Sequence, residues 1–268
     1  MALPPSGSDR AAVVTGASSG IGEEFARILS QRGYQVVLVA RSADKLEALA
    51  GRLGPQVHPL PADLSQRSER AALLDRVAAL GMTPDILVNN AGLSTLGRVA
   101  KSVPEKELNL VEVDVAAVVD LCSRILPGMV ERRRGAVLNV ASVAAFGPLP
   151  GQAAYGAAKA FVLSYTHSLR GELRGTGVSA TALCPGPVDT GFGDAAGFTQ
   201  EEVDGAMPKI MWKPAAQVAQ AGIDGLAAGK AVVVPGMANR LSAGLVRITP
   251  PEWLLPFLVR NHPAMKRD

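Results

Sequence analysis

Tyr155 and Lys159 stand four residues apart in the stretch AAYGAAKAFVL, a spacing that puts both side chains on one face of a helix, one turn from each other. An ammonium so placed favours the phenolate, and is expected to draw the phenol pKa down from about 10 toward working pH. A phenol tuned this way can give a proton to, or take one from, the oxygen of a carbonyl or an alcohol. Ser142 precedes the tyrosine by thirteen positions at the end of the apolar run AVLNVAS, where a strand could deliver its hydroxyl beside the phenol. Far upstream, Gly16, Gly20 and Gly22 punctuate TGASSGIG at 15–22. Glycines permit a tight turn and close backbone approach, and a helix starting there points its first N–H groups at an anion such as a pyrophosphate. An ordinary strand-to-helix loop would have the same composition. Its place after the first strand of a βαβ unit favours the ligand reading.

The elements that must position these residues alternate along the chain. Strands are expected at 11–15, 35–40, 56–60, 85–89, 135–141, 178–183 and 231–234, with helices at 20–32, 43–53, 66–80, 104–130, 152–174 and 214–228, and a loop with a short helix at 185–212. Runs such as YQVVLVA, DILVNN and GAVLNV are apolar throughout and rich in β-branched residues, the pattern of strands buried on both faces. The expected fold is therefore α/β: a doubly wound, seven-stranded parallel sheet with helices on both faces. A chain of 268 residues without repeats or a linker reads as a single domain. The Gly-rich stretch from Pro185 to Trp212 follows a strand's carboxyl end, where ligands bind in such sheets, and is expected to form a mobile substrate lid.

Composition excludes several classes. The net charge is +3, but the 33 residues from Gly236 hold five basic and two acidic residues, leaving 22 of each sign elsewhere. The basic character therefore belongs to a tail and not to a nucleic-acid-binding surface. Cys122 and Cys184 lie in apolar stretches without metal-ligand spacing, so they read as buried free thiols in a reducing cytoplasm and no metal site is expected. The segment MALPPSGSDR lacks the apolar core of a signal peptide, and no run reaches the length of a membrane span.

The ends of the next strands bear on a dinucleotide. The second strand ends Val39-Ala40-Arg41 without the acid that would bond the ribose 2′-hydroxyl of NAD. Arg41 could instead pair with the 2′-phosphate of NADP, or be a solvated surface arginine; the missing acid favours the first. Asp63-Leu64 after the third strand could contact an adenine, and Asn89-Asn90-Ala91-Gly92 after the fourth supplies small polar groups where the adenosine and nicotinamide halves would meet.

With these residues in this order, the chain resembles the classical short-chain dehydrogenase/reductase family. TGASSGIG, Asp63, NNAG at 89–92, Ser142, Tyr155 with Lys159, and PGPVDTGF at 185–192 carry the resemblance over about the first 235 residues. It implies a Rossmann-type catalytic domain over 1–235, a nicotinamide cofactor, here NADP(H), a homodimer or homotetramer, and alcohol–carbonyl interconversion. Tyr155 would be the proton donor in reduction, and Lys159 would lower its pKa while bonding the nicotinamide ribose. Ser142 would hydrogen-bond the carbonyl oxygen. Gly16, Ser18, Ser19, Gly20 and Ile21 would hold the phosphates, and Asn90 would line the ribose and nicotinamide. Pro185, Gly186, Val188 and Thr190 would clasp the carboxamide end. The long helix departs from the family pattern: where the family often has an Asn that anchors a water of the proton relay, this chain has Asp114. The acid could serve through a distorted helix and its backbone carbonyl, or be a helix-interior charge screened from the site. A non-catalytic NADP-binding regulator on the same fold is the competing reading; such a protein would be expected to have lost Tyr155 or Lys159.

The tail, 236–268, resembles that of a bacterial subgroup close to 3-oxoacyl reductases and reductases of lipid-like carbonyls, which implies a hydrophobic carbonyl or alcohol substrate. Leu241, Leu245 and Ile248 share a helical face, and Trp253, Leu254, Phe257 and Leu258 cluster beyond them. These residues could pack on their own domain, wall an apolar substrate, meet a second subunit, or lie on anionic lipid. Pro250, Pro251 and Pro256 are expected to break any long helix, which favours a substrate wall or an interface over a membrane.

Overall fold

Both sides of every inner strand are buried, which is why their sequences are apolar without alternation. The computed structural model describes residues 3–191, 199 and 208–266. Along β1 (Arg10–Thr15), Ala11 and Val13 enter one core and Ala12 and Val14 the other. Six further parallel strands complete the sheet: β2 (Gln35–Ala40), β3 (Val57–Pro61), β4 (Thr83–Asn89), β5 (Gly135–Val140), β6 (Val178–Leu183) and β7 (Val232–Val233). Their order is β3-β2-β1-β4-β5-β6-β7, the doubly wound arrangement whose direction reverses between β1 and β4. One face carries α1 (Gly20–Gln31), α2 (Ala43–Leu53) and α7 (Ala215–Ala227), packed through Phe25, Leu29, Leu46 and Ile223. The other carries α3 (Arg67–Ala79), α5 (Ala117–Glu131) and α6 (Ala153–Glu172), packed through Leu73, Leu121 and Val162.

Three sequence expectations are corrected. The helix at 104–130 is not uniform: α4 (Pro104–Val111) passes through a π-helical turn, Glu112–Ala116, before α5 begins. Such a turn shifts the register of the helix and marks functional positions. The tail forms α8 (Met237–Ile248), α9 (Pro251–Asn261) and α10 (Pro263–Lys266), and Pro256 sits inside α9 without ending it. The bond that Pro256 cannot donate would go to the carbonyl of Glu252, an exposed residue of the first turn, where water can take its place. The seventh strand is two residues long, shorter than the 231–234 expected. The lid expected over 185–212 falls largely on 192–198 and 200–207, outside the described residues; its end is a 3₁₀ turn, Lys209–Met211. Among the described residues, no helix is long and apolar enough to cross a membrane.

A buried polar chain ties α6 to the sheet. Asn89 Nδ2 donates to Asn139 Oδ1 at 2.8 Å, and Asn139 Nδ2 donates to Thr166 Oγ1 at 2.9 Å, linking β4, β5 and α6. Replacing Thr166 with the near-isosteric valine leaves the Asn139 amide without its acceptor in a dry site. The expected loss is about 1–3 kcal/mol, read as a lower denaturation midpoint with an unchanged denaturant slope.

Candidate active site

Many of the residues singled out for chemistry lie at the carboxyl ends of the strands, and Asp114, Tyr155 and Lys159 reach the same end from the helices. Gly16 follows β1, Arg41 follows β2, Asp63 comes shortly after β3, Asn90 follows β4, Ser142 comes just after β5, and Pro185 comes just after β6. The crevice at the switch point of such a sheet is where ligands bind.

The turn at 16–22 admits only glycine at its tightest points. Gly16 and Gly20 have φ of +63° and +59°, which L side chains rarely adopt. A Cβ on Gly16 would come within 2.8 Å of the Ala91 backbone, and one on Gly22 would strike the Gly16 carbonyl. α1 starts at Gly20, and the side chain of its N-cap, Ser19, makes no capping bond. The first N–H groups of that helix therefore remain for a ligand. Thr190 packs against Gly20, since a Cβ there would lie 3.1 Å from its Cγ2, so the loop after β6 meets the turn. Ser18 and Ile21 are half-buried beside it, as are Gly186 and Val188 in the facing loop. Pro185 is buried, and Val188 makes an isolated bridge to Lys213.

Asn90, expected to line the ribose, is also bonded within the protein. Its Nδ2 donates to the Thr15 and Gly16 carbonyls at 3.0 and 3.3 Å, stitching β4 to the glycine turn. Thr15 Oγ1 accepts from the N–H groups of Asn90 and Ala91 at 2.9 and 3.0 Å. That residue passed unnoticed in the sequence, because a threonine ending a strand has no signal of its own. Asp63 Oδ1 accepts from the Ser65 N–H and hydroxyl at 3.0 and 2.8 Å. The Leu64 side chain is buried in the core and its carbonyl accepts from Arg70 at 2.6 Å, so only its backbone N–H remains toward a ligand. Arg41 is exposed and has no ion pair or hydrogen bond to any described residue.

At the other end of the crevice, α6 presents Tyr155 and Lys159 as their spacing requires. Lys159 Nζ is 5.6 Å from the Tyr155 ring centroid, and the phenol lies in hydrogen-bonding reach of Ser142. Ser142 Oγ accepts from the Ala144 N–H at 3.1 Å, which leaves its proton to donate.

Asp114 contacts Lys159 itself. From the π-helical turn its Oδ2 lies 3.0 Å from Lys159 Nζ, with both side chains buried. Its Oδ1 accepts from the Leu93 N–H at 2.7 Å, and Lys159 Nζ donates to the Val140 carbonyl at 3.3 Å. Asp114 Oδ2 has no hydrogen bond of good geometry; what holds it is the ammonium charge at that short range. The screened-charge reading is thereby overturned. Gly92 makes room for the pair, since a Cβ there would lie 3.1 Å from both charged atoms.

The pair also corrects the expected tuning of the phenol. Burial holds Tyr155 above the ordinary tyrosine value; Lys159 and the Ser142 hydrogen bond pull it down, and Asp114 pushes it up. Burial works against the Lys159 ammonium, but Asp114 and Tyr155 outweigh it and raise its pKa. Burial raises Asp114 more than Lys159 lowers it. Cys184, close behind, is pushed up to about 12 by burial, so it stays an inert thiol. Among the described residues, no three His, Cys, Asp or Glu cluster as metal ligands.

Asp114→Asn keeps the shape and removes the anion. A buried ammonium left without its partner costs about 3–5 kcal/mol, read in denaturant. Because Asp114 raises the Tyr155 pKa, the phenol should titrate at lower pH in the variant. The change in ultraviolet absorbance on phenolate formation, measured with and without Tyr155→Phe, isolates it. An unmoved titration would show that the carboxylate does not act on the phenol.

A family model described as short chain dehydrogenase matches residues 10–200. Nodulation protein G of Rhizobium sp. (strain N33) is 35% identical over 240 residues, covering 89% of this chain and 98% of its own. A short-chain dehydrogenase from Sphingobium yanoikuyae, solved in complex with NADPH, superposes with a TM-score of 0.78 at 31% identity, over 90% of this chain and 96% of that one. A 3-ketoacyl-(acyl-carrier-protein) reductase from Brucella melitensis, complexed with NADH, gives 0.76 at 27% identity over 85% and 96% of the two chains.

Proposed function

This chain belongs to the short chain dehydrogenase family, and from that membership we propose that it is an NADP(H)-dependent oxidoreductase interconverting a hydrophobic carbonyl compound and its alcohol. The observation that carries this reading is the meeting of Ser142, Tyr155 and Lys159 at the strand ends beside the glycine turn. A bound nicotinamide supplies the hydride in reduction and accepts it in oxidation. The turn at 16–22, with its constrained glycines and open helix N-terminus, fits a pyrophosphate.

Each side chain then has a task at a stated atom. Ser142 donates its hydroxyl hydrogen to the substrate oxygen and stabilises the negative charge that grows there. Tyr155 gives that oxygen its proton, in line with a pKa held above the ordinary value, which keeps the phenol protonated at neutral pH. Lys159, held by Asp114 and the Val140 carbonyl, keeps its charge beside the phenol and favours the phenolate left after proton transfer. Oxidation needs that phenolate as base, so its rate should climb with pH while reduction declines toward alkaline pH.

Preference for NADP rests on Arg41. It is exposed at the end of β2 with no ion pair or hydrogen bond to any described residue, and no acid follows that strand to bond a ribose 2′-hydroxyl. The NADPH in the Sphingobium relative agrees with this reading, whereas the NADH in the Brucella one leaves the choice to Arg41. The hydrophobic substrate class rests on the resemblance of the tail and on where it packs: α8 lies against the segment after Ser142, and α10 against Gly151. We propose subunit contacts, in a homodimer or homotetramer, where Leu108 and Val111 on α4 and Phe161 on α6 are exposed.

Two substitutions test the assignment. Tyr155→Phe should leave folding and NADPH binding intact while turnover falls by roughly 10²-fold or more through loss of the general acid. Near wild-type turnover of aliphatic ketones and 3-oxoacyl thioesters by that variant would end the reading. Arg41→Ala should weaken NADPH binding by about 1.5–3 kcal/mol, roughly ten- to a hundredfold, and leave NADH nearly unchanged. Equal loss for both cofactors would make Arg41 structural.

A further inference from the structure

The tail turns its most apolar face away from the protein. On α8, Asn239 and Ala243 are buried and Val246 packs against Gly147, at i, i+4 and i+7. The opposite side carries Leu241, Leu245 and Ile248, which are 68%, 62% and 78% exposed. Met237 extends that stripe by one turn at 68% exposure, and Trp253 on α9 is 76% exposed. Ile210 is exposed in the 3₁₀ turn that packs beside α8. So much large apolar surface marks a contact.

Charge says what it contacts. Arg240 and Arg247, seven residues apart, line one flank of the α8 stripe, and Arg260 shares the face of Trp253 and Phe257, being seven and three residues on. All three arginines are exposed. Arg247 and Arg260 make no ion pair or hydrogen bond with any described residue. Glu252 is the one described acid after Gly236. A stripe of leucine, isoleucine and tryptophan flanked by arginines is the pattern of a helix lying in a membrane interface. A second copy fits worse, because a two-fold contact over this face would set arginines opposite arginines with one acid per subunit to meet them. The stripe cannot wall the substrate site, since it lies opposite the buried side of α8. The proline objection to a membrane-lying tail falls away, because α9 runs through Pro256.

We propose that the outer face of α8 and α9 docks on an anionic lipid surface, with Leu241, Leu245, Ile248 and Trp253 entering the acyl boundary and Arg247 and Arg260 meeting the head groups. α8 and α10 pack beside the catalytic segment, so docking sets the rim of the site against the lipid. The contact does not depend on which carbonyl the enzyme reduces.

The test is co-sedimentation of the full chain with phosphatidylcholine vesicles, with and without phosphatidylglycerol. Binding is expected only with the anionic lipid, and release is expected as salt rises from about 0.1 M to about 1 M, where the Debye length falls from about 10 to about 3 Å. Arg247→Glu with Arg260→Glu should weaken it at least about tenfold, and Leu245→Ser with Trp253→Ser should weaken it too. These residues are exposed, so both variants should keep the wild-type circular dichroism. No binding by the wild type, equal binding to neutral vesicles, or undiminished binding by the charge-reversed variant would each overturn the proposal. A drop in light-scattering mass caused by Leu245→Ser with Trp253→Ser would overturn it as well, by making the face a subunit interface.

Discussion

A buried carboxylate 3.0 Å from a buried ammonium is the constraint on which the arrangement of this site depends. Removing two charges from water costs several kcal/mol each, and their attraction offsets this only when geometry is good and the remaining valences are bonded. The surroundings are organised to meet that condition. The Leu93 N–H donates to one oxygen of Asp114, and the Val140 carbonyl accepts a hydrogen bond from Lys159. Gly92, with no side chain, leaves the space the pair fills. The π-helical turn that presents Asp114 is itself braced, because the buried Arg70 pairs with Glu112 at 2.9 Å and with Asp120 at 3.1 Å. Four separate segments, the loop after β4, the end of β5, the π-helical turn and α6, are thus tied to one point. Tyr155 sits one helical turn from it.

The same pair bears on the electrical state of the Tyr155 phenol. A lysine four residues away favours the phenolate. Here burial outweighs that pull and Asp114 adds to burial in the same direction, so the tyrosine rests as an acid. At the opposite end, Arg41 stands in solvent, where its field is screened and a charge-assisted bond to a phosphate gains by geometry more than by burial. On our proposal the first end holds a proton and the second selects an anion. The two demands need different dielectric surroundings, and the sheet offers them beyond its middle strands and at the end of β2, one strand in from the edge.

How much of this was legible in the sequence follows from what is local. The seven strands, the glycine turn, and the Tyr155–Lys159 and Ser142 spacings depend on periods of two or 3.6 residues and on backbone freedom, all written in consecutive letters. The register shift at Glu112–Ala116 was invisible, because VEVDVAAVVDL keeps a helical pattern whether or not one turn is wider. The Asp114–Lys159 contact joins residues 45 positions apart, and its direct reach to the ammonium could not be read from either neighbourhood. The direction of the Tyr155 shift was misjudged for the same reason: spacing gives the nearest charge, but desolvation is a sum over the whole fold. Proline in α9 misled because the rule against it assumes a buried backbone, whereas the carbonyl it leaves unpaired lies in an exposed turn.

The two halves of the site are therefore built from different materials. The cofactor half is backbone: glycine φ angles, a helix start and strand ends, stitched by Asn90 and Thr15 to the middle of the sheet, where little can move. The outer rim is added from beyond the sheet, by α8 against the segment after Ser142 and α10 against Gly151. It is pinned through a few polar bonds: Asn239 Nδ2 to the Met211 and Pro235 carbonyls at 2.9 and 3.0 Å, His262 Nε2 to Gln152 Oε1 at 3.4 Å, and Arg98 to the Met265 carbonyl at 3.1 Å. Asn239 also touches Gly186, so the first tail helix bears directly on the loop that faces the glycine turn. Changes in the tail's outer surface leave the sheet's cores untouched, whereas changes at Asn239 or Gln152 act at once on residues beside the chemistry. Substrate choice and surface attachment can then vary on opposite sides of the same short helices without disturbing the proton-transfer residues beneath.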